Sequence, residues 1–93
     1  MIRWAPRAQI DLREAHRYIS ESNERAAERV SAAIKAAGES LSFFPHRGRR
    51  GKARGTRELI VQTTPYYLVY RITGDRVEIM RVMHMARDWP RGR

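Results

Sequence analysis

The chain has 93 residues, 42% of them hydrophobic, no cysteine, and a formal charge of +9 from 19 Lys/Arg against 10 Asp/Glu. One domain with one modest core, spanning residues 1–93, fits that length; the missing cysteines exclude disulfides, thiolate catalysis and Cys-ligated zinc. The charge favours nucleic acid, an acidic protein or both as partners, and no apolar run suggests a signal peptide or membrane span, so a cytoplasmic location is expected.

Ile2-Arg3-Trp4 alternates apolar and polar and predicts a short strand that ends before Pro6. Pro6 suits the first turn of a helix, where its missing N–H is no loss. Ala8, Leu12, Ala15 and Ile19 then fall on one helical face, which leaves Asp11, Arg13, Glu14 and Arg17 toward water. Asn23 can cap a second helix, whose seam runs through Ala27, Val30, Ile34, Ala37, Leu41 and Phe44 until Pro45 stops it. The short connection between the two predicts an antiparallel helical hairpin.

From Pro45 to Thr56 the chain reads Pro-His-Arg-Gly-Arg-Arg-Gly-Lys-Ala-Arg-Gly-Thr, a composition that predicts a loop. Six cations lie between Arg47 and Arg57, with no acid among them. Such crowding is unfavourable without an anionic partner, so the loop is expected to face one.

Three strand patterns follow. In the first, Leu59, Val61 and Thr63 alternate with Glu58, Ile60 and Gln62. The second, Tyr66 to Ile72, is aromatic and β-branched, as a central strand should be, and Thr73-Gly74-Asp75 makes a hairpin turn into the third, Val77 to His84. The expected fold is α+β: a short N-terminal strand, a helical hairpin, and a three-stranded antiparallel meander with the helices packed on one face. Tyr66, Tyr67 and Tyr70 are expected in the sheet core rather than on a base-stacking platform.

This order of elements, with Trp4-Ala5-Pro6, Asp11-Leu12, Tyr18-Ile19, Ala26-Ala27, Phe44-Pro45 and Gly48-Arg49, resembles the RelE/ParE superfamily of bacterial type II toxins. The most specific pieces are Gly55-Thr56-Arg57-Glu58-Leu59, Pro65-Tyr66, Val69-Tyr70-Arg71, and Val77-Glu78-Ile79 through Arg81-Val82 to His84. The resemblance covers nearly the whole chain. It implies a growth-arresting toxin neutralised by a cognate antitoxin, typically an acidic and partly disordered protein that folds on the toxin. RelE-like members cut messenger RNA in the ribosomal A site, whereas ParE-like members poison DNA gyrase.

In a RelE-like reading, the resemblance makes Lys52, Arg54 and Arg87 the catalytic set. That set is incomplete: the family's arginine early in the third strand falls near Tyr67, and Trp89 stands where a catalytic tyrosine is expected. His84 and Glu58 are available, but no tyrosine follows Tyr70. The strand Glu78, Ile79, Arg81, Val82, His84 resembles the ParE-like branch, so gyrase poisoning is the preferred expectation, messenger cleavage the alternative, and a non-toxic nucleic-acid-binding module the third. Arg49, Arg50, Arg57, Arg71, Arg81 and His84 are the candidates for contacting target or nucleic acid. For His84, at the end of a strand, a structural role outweighs that of general base. His16 and His46 stand isolated in the sequence, so no metal is expected; nor is any cofactor, small-molecule substrate or membrane.

Overall fold

The computed structural model describes residues 1–86. Strand β1 (Ile2–Trp4) leads into helix α1 (Pro6–Ser20), followed by α2 (Glu24–Ser40) and strands β2 (Arg49–Arg50), β3 (Arg57–Ile60), β4 (Tyr66–Thr73) and β5 (Arg76–His84). These strands form one sheet in the order β1-β5-β4-β3-β2, antiparallel throughout except where β1 runs parallel to β5. The expected α+β class holds, and the meander is extended at one edge. Two residues of the segment read as loop, Arg49 and Arg50, pair with Glu58 and Arg57.

Local chemistry accounts for the helices. Pro6 opens α1, and the Asn23 side chain accepts a hydrogen bond from the Ala26 N–H at 2.9 Å to cap α2. Ala8 and Ala15 are buried, as are Ala27, Val30 and Ile34, so the two seams meet the sheet as expected. Of these, Ala8, Ala15, Val30 and Ile34 join Leu68, Tyr70, Val77, Ile79 and Val82 in one core. Gly38 lets α2 approach closely: a Cβ there would stand 2.4 Å from the Trp4 ring and 2.8 Å from Ile79.

Three details depart from expectation. Helix α2 ends at Ser40, not Pro45, so Leu41 is the last seam residue to reach the core and Phe44 is turned out to solvent. The strand expected to continue to Thr63 ends at Ile60, because Val61 to Pro65 form a loop in which Thr63 takes a positive φ of 64°.

Asp11 is the third. Expected toward water, it is buried beneath β5. Strand β1 stops at Trp4, and its last backbone bond to β5 runs from Ala5 N–H to the Ile79 carbonyl. Beyond that point the Asp11 carboxylate takes the place of a neighbouring strand, accepting the Val82 N–H at 2.9 Å. It also accepts Arg81 Nε at 2.8 Å and Arg7 Nε at 3.2 Å. A buried carboxylate needs such partners to offset its lost hydration.

Candidate functional site

The basic segment after α2 folds back over the end of the sheet and encloses a concavity of ≈ 680 Å³. Its lining includes His46, Arg50, Lys52, Arg54 and Arg57, with Ile72 on the apolar side. Four of the sequence candidates therefore come together on one surface.

Core residues hold this surface in place. The Tyr70 hydroxyl rises from the buried centre of β4, donates to the Pro45 carbonyl at 2.7 Å and accepts the Gly48 N–H at 2.9 Å. Gly48 must be glycine for this approach, since a Cβ would lie 2.7 Å from both the Tyr70 hydroxyl and the Glu58 carbonyl. The Glu58 carboxylate, buried on β3, accepts the Arg49 guanidinium at 3.1 Å and the Lys52 backbone N–H at 3.3 Å. Arg57 donates to the carbonyls of Gly48 at 2.7 Å and His46 at 3.4 Å. The Thr56 carbonyl accepts the Gly51 N–H at 2.8 Å, closing the tip.

Tyr70→Phe is expected to lower stability by about 1–3 kcal/mol, since it leaves the buried Gly48 N–H without its acceptor. Denaturant unfolding would show that loss, and hydrogen exchange at Gly48 would rise well above that of the helices. A variant as stable as the parent would contradict the anchoring role.

Other candidates lie apart from the concavity. Arg71 faces Glu78 at 3.6 Å, and Glu78 also pairs with Arg3 across the sheet. Arg81 is held by Asp11. His84 packs edge-on against Tyr66, with ring centroids 5.0 Å apart, and its Nδ1 accepts the Ala86 N–H at 3.1 Å. Arg87 and Trp89 lie outside the described residues. Tyr66, Tyr67 and Tyr70 are all buried, which leaves no aromatic platform among them. His46 is not isolated, since it lines the concavity. Nor is His16, whose Nε2 lies 3.8 Å from Glu24 on the solvent side of the helical hairpin.

Sequence reasoning missed the anchoring roles of Tyr70, Gly48 and Asp11. A partial signal existed for Glu58, the single acid between Arg57 and the apolar run that follows.

The sequence profile described as the ParE toxin of the type II toxin–antitoxin system parDE matches residues 2–89. The putative toxin Y4kP of Sinorhizobium fredii is 44% identical over 89 residues, covering 96% of this chain and 92% of that protein. Toxin RelE2 of Caulobacter vibrioides is 38% identical over 84 residues, covering 90% and 93%. Among solved structures, the chromosomal ParDE system of P. aeruginosa superposes with a TM-score of 0.79 over 89% of this chain and 92% of that one. At 21% identity, that likeness speaks for the fold alone. The RelBE2 toxin–antitoxin complex of Mycobacterium tuberculosis gives a TM-score of 0.67 at 26% identity, covering 90% and 95%.

Fold and relatives together define a toxin of the RelE/ParE superfamily. Within it, the chain belongs to the ParE family of type II toxin–antitoxin systems.

Proposed function

We propose that this toxin arrests growth by a ParE-like poisoning of DNA gyrase and is neutralised by a cognate acidic antitoxin. The observation that carries this reading is the state of Glu58. It is the carboxylate nearest the basic loop in sequence, yet it is buried and engaged by Arg49 and by the Lys52 backbone. An acid held this way braces the loop; it is poorly placed to exchange protons with a substrate. The concavity then acts as a cationic binding surface, and its charge suits an acidic segment of an antitoxin. The complexes formed by the two solved relatives, ParDE and RelBE2, support a protein partner of that kind. Action in the cytoplasm is part of the same proposal; among the described residues no helix is long and apolar enough to cross a membrane.

Messenger cleavage is the second reading, favoured by the similarity to toxin RelE2 and by the cluster of cations that could stabilise a phosphorane-like charge. Induction in bacteria without an antitoxin, followed by pulse labelling of DNA and protein, separates the two. Early loss of DNA synthesis with filamentation is the expected result. Early loss of translation with cut messengers would replace it with the ribonuclease reading. Growth without arrest would leave a basic binding module.

A further inference from the structure

Beside the basic concavity lies a second surface that the target reading does not use. Helix α2 ends at Ser40, and the following turn carries Phe43 and Phe44 into solvent, 78% and 64% exposed. With Pro45, His46 and Arg47 they border a hollow of ≈ 760 Å³. Single exposed apolar residues are ordinary, but two adjacent phenylalanines that both face water form a patch that marks an interaction site.

The turn is also preorganised. The N–H groups of Phe43 and Phe44 both donate to the Ser40 carbonyl at 3.1 Å, and the Arg47 N–H donates to the Phe44 carbonyl at 3.1 Å. Arg47 reaches back to the Ser40 hydroxyl at 2.8 Å, and Tyr70 holds the Pro45 carbonyl at 2.7 Å. A patch fixed at both ends loses little conformational freedom on binding.

His46 lines both hollows, so the aromatic patch and the basic concavity form one continuous surface. We infer that this surface docks an acidic protein segment bearing apolar side chains: Phe43 and Phe44 receive the apolar anchors, and Arg50, Lys52 and Arg54 receive the acids beside them. The inference rests on the reading of an acidic antitoxin as partner and gives that partner a place and a composition. A second copy of the chain does not fit, because its own charge of +9 would bring like cations together at the rim. Single-stranded nucleic acid is the competing occupant, and an oligothymidine probe tests it.

Three fluorescein-labelled probes of equal length test this by anisotropy: a twelve-residue peptide repeating Glu-Glu-Leu-Leu, a twelve-residue all-Glu peptide, and a twelve-nucleotide oligothymidine. The Glu/Leu peptide should bind at least about tenfold tighter than the all-Glu peptide, as apolar anchors in a preorganised patch require. The double variant Phe43→Ser/Phe44→Ser should erase that advantage without lowering the melting temperature. Phe43→Leu/Phe44→Leu should restore most of it. Equal binding of both peptides to the parent, or an advantage that survives the Ser variant, overturns the docking site and leaves the acidic-partner reading standing. Loss of oligothymidine affinity in the Ser variant, with peptide binding unchanged, overturns it in favour of nucleic acid. Failure of both peptides to bind overturns the acidic-partner reading as well.

Discussion

Asp11→Ala is expected to reduce unfolding free energy by about 3 kcal/mol, chiefly because a buried hydrogen-bonded carboxylate disappears from between α1 and β5. The Val82 N–H then loses its acceptor in a position where no strand is available to replace it. Arg81 contributes less, since its side chain is 37% exposed and water can solvate the freed guanidinium. For a domain of this size the melting temperature should fall by roughly 12–20 °C. Asp11→Asn, which keeps one acceptor oxygen, should lose about half as much. Calorimetry of the two variants decides the matter: an Asp11→Ala protein that melts with the parent would mean that the carboxylate contributes nothing to joining helix and sheet.

Replacing Arg50, Lys52 and Arg54 together by Ala should leave stability within about 0.5 kcal/mol of the parent, because all three side chains are exposed. Arg57 is left in place, since its guanidinium holds the carbonyls of Gly48 and His46. Binding to an acidic partner should weaken by about 10- to 100-fold at low salt, with a smaller penalty at high salt as screening takes over. Loss of DNA synthesis on induction should persist at least in part, because a protein interface draws on anchors besides these charges. Complete loss of toxicity together with loss of messenger cleavage would instead make these cations a phosphate-handling set and support the ribonuclease reading.

Both experiments turn on knowledge that the sequence supplies unevenly. The helices were legible because apolar spacing of three and four residues has no competing explanation, and Pro6 and Asn23 marked their starts. The central strand was legible from Tyr66 to Ile72 because its composition suits a half-buried pleated surface. The short strand Arg49–Arg50 was not, since two arginines carry no periodicity and their pairing depends on β3 arriving alongside. Phe44 continued the helical seam in sequence, but the seam outlasted the helix. Asp11 read as a solvent-facing residue because the partners that bury it, Arg81 and Val82, lie 70 and 71 positions away.

The site divides the same way. The density of cations around Pro45 to Thr56 marked the segment that lines the concavity. Composition could not distinguish cations that brace the fold from those that line the concavity, because that depends on which carboxylates and carbonyls the fold places beside them. Arg49, Arg71 and Arg81 make bracing contacts, and Arg57 both braces the segment and lines the concavity.

The parallel pairing of β1 with β5 has a consequence for the order in which the chain matures. Ile2 pairs with Val77, and Asp11 can accept from Arg7 within its own helix but has no strand to meet until Val82 arrives. A nascent chain can form its helical hairpin early from local contacts, but β1 has no neighbour until β5 emerges. Tyr70 likewise has to appear before the basic segment can be pinned to the sheet. An interrupted translation product is therefore a pair of helices with an untethered basic tail. The concavity takes shape only after β4 has been made.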